Sequence, residues 1–355
     1  MYSKGKVLVA MSGGVDSSVA ALLLRDMGYS VKGVFMALLP PRMDHTLSTE
    51  KDHVISVAKT LGIDLEILDL REAFKTEVEA RYLSQLRAGL TPNPCVVCNK
   101  KIKWGYLLDH ARDSGFDLLA SGHYARLGIA PEGGISLLKG QDNTKDQSYM
   151  LSTLTQDQLR SILLPLGGLS KEKVRQIASE NGLSDQVLGE SQDLCFLEGL
   201  SQEEFFKKNI PEMLIPGDIK DLSGNILGRH KGLVLYTEGQ RKGIGLAKAQ
   251  PLYVYSKNNR KNELIVAYKD ELKKTSLVAR EVNWISGSAP DLNREYEVKI
   301  RYKARPIKGK IELKPDNEIV IKFEHSLVDI TPGQRAVIYD GERCLGGGEI
   351  STALD

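Results

Sequence analysis

At 355 residues the chain is too long for one typical hydrophobic core, so two or three domains are expected. A hydrophobic fraction of 41% and a charged fraction of 26% fit an ordinary globular protein, and no uncharged apolar run is long enough for a membrane-spanning helix. The net charge of +2 excludes a uniformly polycationic nucleic-acid binder but not a local patch.

Lys6–Ala10 reads as a buried strand that breaks into Ser12-Gly13-Gly14-Val15-Asp16-Ser17-Ser18 and resumes as an apolar helix from Val19. Adjacent glycines let the backbone turn sharply, and the free N–H groups of the helix start, with nearby serine hydroxyls, make a seat for phosphate. No Walker lysine follows, so this is not a P-loop. The SGGxDS pattern resembles the pyrophosphate loop of ATP-pyrophosphatase enzymes, which split ATP into AMP and pyrophosphate to activate a carbonyl oxygen. The chain enters this loop within a dozen residues, leaving no room for a cleaved signal, and a cytoplasmic location is expected.

Ser30–Phe35 reads as a second strand, Glu50–Leu61 as a helix, Leu65–Asp69 as a third strand and Ala73 to about Leu86 as a helix. This alternation predicts a doubly wound parallel α/β sheet, Rossmann-like in class. Gly89–Lys100 follows, with Pro92 and Pro94 delaying a helix until about Cys95. Cys98 would lie in that helix's first turn, where the dipole lowers a thiol pKa, and Lys100, Lys101 and Lys103 add positive potential. Cys95-Val-Val-Cys98 spacing in a chain with four cysteines suggests catalysis, redox chemistry or metal rather than a disulfide framework.

Phe116–Ser121 is another strand, ending at Gly122-His123-Tyr124, and Ile135–Lys139 a short one. The polar run Lys145–Tyr149 suits phosphate or nucleobase edges, or merely a helix start. Thr155–Arg160, Lys171–Asn181 and Gln202–Lys208 read as helices; between the last two, Gly189–Phe196, which carries Cys195, reads as a loop or short strand. After Pro211 and Pro216 the character changes to short strands with glycine turns. Gly228–Lys248 holds five basic residues against Glu238 alone. From about Ser276, alternating apolar and polar positions predict a small antiparallel β-barrel, with Arg301, Tyr302, Lys303 and Arg305 as a basic aromatic patch. The expected division is 1–208, a nucleotide-binding catalytic domain; 209–275, a small β-rich domain; and 276–355, the barrel. Cys344 is expected to be a buried free thiol.

Taken in order, SGGVDS, Thr91-Pro92-Asn93-Pro94 with Cys98-Asn99-Lys100, Gly122-His123-Tyr124, Lys145–Tyr149, Cys195-Phe196, Tyr236–Gly243, Thr331–Gln334 and Cys344–Gly348 resemble the tRNA-specific 2-thiouridylases of the ATP-pyrophosphatase (PP-loop) superfamily across essentially the whole chain. The resemblance implies a tRNA sulfurtransferase. MgATP would adenylate the C2 oxygen of the wobble uridine in tRNAs such as those for lysine, glutamate and glutamine. A sulfur nucleophile would then give 2-thiouridine, releasing AMP and pyrophosphate. It implies ATP contacts at Ala10, Met11, Ser12, Gly13, Gly14, Val15, Asp16, Ser17, Met36 and Gly122. Asn93, Pro94 and Cys95 would surround the target base; His123, Lys145, Asp146, Gln147, Arg301, Tyr302 and Gln334 would touch tRNA. Cys195 would carry a persulfide from a cysteine desulfurase or sulfur-relay protein. Cys98 would free the sulfur, which could leave a Cys98–Cys195 disulfide.

The chain departs from the family at Cys95, where many members carry Asp. Cys95, Cys98 and Cys195 then make a three-thiolate set able to hold a four-iron four-sulfur cluster with one open iron, as in related RNA thiolases. Persulfide and cluster routes both stand open. Rival functions are a cluster-type thiolase of another tRNA position, a PP-loop amide-forming synthetase, and a non-catalytic RNA-binding protein.

Overall fold

The computed structural model describes residues 4–40, 46–131, 133–183, 194–197 and 199–355. Residues 189–193 of the expected cysteine-bearing loop lie outside the described residues. The amino-terminal unit begins β1 (Lys6–Ala10), α1 (Val15–Asp26), β2 (Ser30–Ala37), α2 (Thr46–Leu61) and β3 (Asp64–Asp69). Two helical runs follow. In the first, α3 (Arg71–Phe74) and α4 (Ala80–Arg87) flank a π-helical stretch, Lys75–Glu79; in the second, α5 (Pro94–Cys98) and α6 (Leu107–Asp113) flank another, Asn99–Tyr106. Then come β4 (Leu118–Ala120), the hairpin β5 (Ala125–Ile129) and β6 (Ile135–Lys139), α7 (Gln156–Arg160), β7 (Ile162–Leu163), α8 (Lys171–Glu180) and α9 (Gln202–Asn209).

The first sheet runs β3-β2-β1-β4-β7, all parallel, as the alternation predicts. The strand order reverses at β1, because β2 and β4 lie on its two sides. The loops leaving β1 and β4 therefore splay apart and form the crevice in which such sheets bind ligands. β1 is buried on both faces, with Val7, Leu8 and Val9 at 0% exposure, which explains its unbroken apolar sequence.

Gly122 follows β4 at this crevice. A Cβ there would stand 2.7 Å from the Asp16 carbonyl carbon and 2.8 Å from the Ser17 nitrogen, so the glycine lets the strand end press against the first turn of α1. That contact is with protein backbone, a different reason for glycine than the nucleotide contact expected. Gly122→Ala is expected to destabilise the protein by about 1–3 kcal/mol, read as a fall in Tm, and to displace the phosphate loop.

The second unit is a four-stranded sheet, β10-β11-β8-β9, from β8 (Gly217–Lys220), β9 (Ile226–His230), β10 (Leu252–Asn258) and β11 (Glu263–Tyr268). Among the short strands expected after Pro216, the stretch 231–237 is instead a 3₁₀ turn at Leu233–Leu235, entered through Gly232 at φ +137°. The third unit comprises β12 (Lys274–Trp284), β13 (Glu295–Lys299), β14 (Ile307–Lys314), β15 (Glu318–Leu327), β16 (Arg335–Asp340) and β17 (Arg343–Leu354). These run in the order β12-β15-β14-β13-β16-β17, and antiparallel pairing of β12 with β17 closes the barrel. The β5–β6 hairpin, inside the expected first domain, extends the barrel sheet through Arg343↔Leu138 and Cys344↔Leu137. One hydrophobic cluster accordingly contains Leu8, Trp104, Leu119 and Leu137 together with Val337, Tyr339 and Cys344. First and third units share a core, which removes the hinge that a simple linker would allow. Cys344 is indeed a buried free thiol, pushed up to about 12 by burial.

Candidate active site

The phosphate loop is built from the expected residues. Met11 continues β1 by donating its N–H to the Val34 carbonyl at 2.8 Å. Gly13 adopts φ +80°, a conformation costly for any residue with a side chain, and Gly14 stands at the N-cap of α1 without a side-chain cap. The Ser17 hydroxyl accepts from the Ser12 N–H at 3.1 Å and donates to the Gly14 carbonyl at 3.1 Å; Ser18 Oγ donates to the same carbonyl at 3.0 Å. These bonds fold the loop over itself and leave the helix N-terminus, with its partial positive charge, for an anion.

Asp16, the loop's only acid, is held from outside the loop. The Tyr124 hydroxyl donates to Oδ1 at 2.7 Å, and Lys171 Nζ donates to Oδ1 and Oδ2 at 2.8 and 2.9 Å. Lys171 is nearly dry, its side chain 8% exposed, while Asp16 is 32% exposed on the crevice side. Sequence reasoning took Lys171 only as part of a capped helix and missed this contact. A signal was present, since a lysine at the first position of a helix is on the unfavourable end of the dipole and needs a carboxylate or other anion to offset it.

The cysteine helix starts one residue earlier than expected. The Asn93 side chain caps it by accepting from the Val96 N–H at 3.3 Å, and Pro94 takes the first position, where a missing N–H costs nothing. Cys98 is thus the fifth helical residue, beyond the first turn, and the expected lowering of its thiol pKa does not occur. Burial pushes it up to about 11, Lys103 acting the other way and Cys95 reinforcing burial. The dipole's effect falls off within one turn, whereas desolvation of a thiolate acts wherever protein replaces water.

Cys195 opens a 3₁₀ turn, Cys195–Leu197. Phe196 anchors this turn among Phe74, Tyr82 and Phe205, with ring centroids 6.2, 5.1 and 5.4 Å away. Burying a phenylalanine contributes about 1.5–3 kcal/mol, enough to hold so short a turn in place. The cluster around Phe196 also touches Cys98, Val97 and Met36, Leu38 and Leu39 beyond β2. Two segments far apart in sequence therefore meet where the nucleotide crevice opens. Burial, then Cys98 and Cys95, push the Cys195 thiol up to about 12. All four cysteines are free thiols; Cys95 and Cys195 keep one side open to solvent, while the protein packed around the other side desolvates their thiolates. Among the described residues no three His, Cys, Asp or Glu side chains converge on one point as a metal site, although Cys98 and Cys95 both lie near enough to Cys195 to act on its thiol.

A raised thiol pKa implies slow alkylation at neutral pH. Iodoacetamide should modify Cys98 in the free protein with a rate that climbs through pH 9 without a plateau. At about pH 8 its thiolate fraction should be on the order of a hundredfold below that of an ordinary exposed cysteine. A plateau near pH 7 would contradict this.

The residues expected to touch tRNA divide into two groups. His123 is buried, bonded through Nδ1 to Ser121 Oγ at 2.7 Å, and burial first, then Lys103, holds it neutral. Asp146 is buried and accepts from the N–H groups of Gly140 and Ser148 and from Ser148 Oγ, each at 3.0 Å. Gln147 uses its Oε1 on the Tyr124 N–H at 2.9 Å. These polar atoms serve the fold, whereas Lys145 and Tyr302 are half-buried. The Tyr302 ring stands 5.9 Å from that of Tyr149. Arg301 donates to the Glu238 carbonyl at 3.0 Å and to Thr331 Oγ1, joining the second unit to the barrel. Gln334 Nε2 donates to the Thr91 carbonyl at 2.7 Å, and the Thr91 N–H reaches the Pro332 carbonyl at 2.9 Å. The barrel thereby fixes the Thr91–Pro94 loop from which the cysteine helix starts.

Known proteins resemble this chain over its whole length. Residues 5–199 match the family model described as the tRNA methyl transferase HUP domain, residues 203–268 its PRC-barrel domain, and residues 274–350 the aminomethyltransferase beta-barrel domain. A tRNA-specific 2-thiouridylase of Clostridium perfringens is 39% identical over 99% of this chain and 100% of its own length. Another, from Geotalea uraniireducens, is 40% identical over 99% of this chain and 96% of its own. A 4-thiouridine synthetase solved with RNA and ATP aligns over 59% of this chain and 51% of that one, at 18% identity and a TM-score of 0.37. No helix among the described residues is long and apolar enough to cross a membrane. With a phosphate loop at the switch point of its parallel sheet, two cysteine segments meeting beside it and a closed barrel behind them, the chain belongs to the tRNA-specific 2-thiouridylase family.

Proposed function

We propose that this enzyme converts the wobble uridine of tRNA to 2-thiouridine at the expense of ATP. The uridine C2 carbonyl is a poor electrophile and its oxygen a poor leaving group. Attack of that oxygen on the α-phosphorus of ATP, with pyrophosphate departing from the Ser12–Ser17 loop, turns it into an adenylate. Cys195 receives a sulfane sulfur from a donor of the cysteine-desulfurase or sulfur-relay class. The Cys98 thiolate attacks Cys195 Sγ, the persulfide S–S bond breaks, and hydrosulfide leaves. Hydrosulfide then adds to C2, AMP departs, and the product is the C2 thiocarbonyl. A Cys98–Cys195 disulfide remains, and an external thiol must reduce it before the next turnover. Mg²⁺ would accompany ATP and offset the charge on the departing pyrophosphate.

The observation that carries this reading is the meeting of Cys98 and Cys195 over one cluster with Met36–Leu39, beside the strand that ends in the phosphate loop. An amide-forming synthetase needs no paired thiols there, and an RNA-binding protein needs no phosphate loop. Persulfide chemistry needs only the Cys98–Cys195 pair, and on that route Cys95 is a bystander at the target-base loop.

The test is to incubate protein, MgATP, a persulfide donor and a tRNA transcript with U34, then analyse nucleosides by mass spectrometry. We expect 2-thiouridine at position 34, none with C34, and activity in protein purified anaerobically without iron. Sulfur at another uridine would overturn the position. Dependence on about four irons per chain would overturn the persulfide route.

A further inference from the structure

A second polar cavity lies behind the cysteine helix. It occupies about 50 Å³ between the helical runs of the first unit and the barrel, and its walls include Arg81, Lys100, Lys101, Thr153, Glu281 and Arg335. Its floor is Val96 and Val97, on the same helix as Cys95 and Cys98, and Asn93 borders it.

The charges here are not balanced locally. Glu349 is taken by Arg280 at 2.9 Å, Gln85 at 2.9 Å and Arg81 at 3.4 Å, and Glu281 by Arg81 at 3.1 Å. Lys101 is paired with Glu77 at 3.2 Å. Lys100 has no hydrogen bond or ion pair among the described residues and lines the same cavity as the buried Arg335. Burial and then Arg335 push its pKa down, with Glu281 acting the other way. Arg335 itself is fixed, Nε on Ser152 Oγ at 3.0 Å and Nη2 on the Gly347 carbonyl. Glu281 acts on both cations and Glu349 on Arg335, but these carboxylates are already paired with Arg81 and Arg280, so the wall keeps an excess of positive charge that a bound anion would relieve.

A second observation is independent of charge. Thr153 lines this cavity and is 4% exposed, and its buried hydroxyl has no hydrogen-bond partner among the described residues. A buried unsatisfied hydroxyl is costly, and ligands are one way in which such groups are satisfied. Glu281 adds strained backbone at the rim, with φ +49° in a bulge of β12.

We propose that this cavity seats a backbone phosphodiester of the RNA substrate, held by Lys100 and Arg335 with the Thr153 hydroxyl as donor. The inference rests on the tRNA reading above. A phosphate anchored here would sit on the helix that begins at Asn93, and so fix the neighbouring nucleotide relative to the thiols. A free inorganic anion would gain nothing from that placement.

The experiment is equilibrium binding of a U34 tRNA transcript at several salt concentrations to wild type, Lys100→Gln and Thr153→Val, with ATP affinity and Tm measured alongside. Lys100→Gln should weaken tRNA binding about tenfold and reduce the slope of log K against log salt by about one, leaving ATP affinity unchanged. Thr153→Val should weaken tRNA severalfold while Tm holds or rises, because valine removes the unpaired hydroxyl. If wild type binds tRNA and both variants match it in affinity and slope, the seat is wrong and the tRNA reading stands. Failure of wild type to bind tRNA would overturn both. Saturable binding of inorganic phosphate that Lys100→Gln abolishes, with tRNA binding intact, would overturn the phosphodiester assignment.

Discussion

Asp16→Asn should abolish tRNA- and ATP-dependent pyrophosphate release, lowering it by about 10³-fold or more, a loss of about 4 kcal/mol in transition-state stabilisation. Asparagine keeps the size of the side chain, and its one oxygen can still accept from Tyr124 and Lys171, although its NH2 cannot replace the second bond from Lys171, so Tm is measured beside activity to confirm the fold. What it lacks is the negative charge that Lys171 and any incoming Mg²⁺ would share. Asp16→Ala is less informative, because it strands Lys171 as a nearly buried cation; breaking such a pair costs about 1–3 kcal/mol in a partly exposed setting. Lys171→Gln should also reduce pyrophosphate release, by about ten- to a hundredfold, through the orientation of Asp16. Normal pyrophosphate release in Asp16→Asn would refute a catalytic role for the loop's acid and leave it a structural partner of Lys171.

Cys195→Ser should give the opposite dissection. Its phosphate loop is untouched, so pyrophosphate release should stay within about twofold of wild type, while 2-thiouridine formation falls by about 10³-fold or more, since a serine hydroxyl cannot carry a sulfane sulfur. Cys98→Ser should fail at a later point. The protein should still gain a sulfur atom at Cys195 from the donor, visible by intact mass, and should not release it to tRNA. Continued thiolation by Cys195→Ser would remove that residue from the reaction. Both variants keep the side-chain volume close to that of cysteine, so a loss of Tm would not explain the result.

Some of this was legible before any coordinates. The apolar run of β1 and the glycines after it mark a strand–loop–helix phosphate seat, because strand burial and left-handed backbone leave local traces in residue type. Period-two alternation after Ser276 marks the barrel for the same reason. Local pattern misjudged the Cys98 thiol. The helix dipole depends on a residue's own helix and is visible locally, whereas the larger effect on Cys98 is desolvation by residues brought from elsewhere. The resemblance assigns Asp146, Gln147 and His123 to RNA; what no local pattern shows is that Asp146 and His123 are buried and that all three also bond within the fold.

By itself, then, the amino-acid sequence determined the kinds of element and the chemical inventory: a parallel nucleotide-binding sheet, a phosphate loop, a closed β-barrel and paired thiols. Those depend on periodicities of two and 3.6 residues and on side-chain chemistry, which are properties of neighbours along the chain. Only the tertiary structure decided which groups meet: Lys171 on Asp16, the Phe196 plug that brings Cys195 to Cys98, the β5–β6 hairpin joined to the barrel, and Lys100, Thr153 and Arg335 around one cavity. Such contacts span tens to hundreds of residues, and their energies come from desolvation and packing, which no local stretch of sequence encodes.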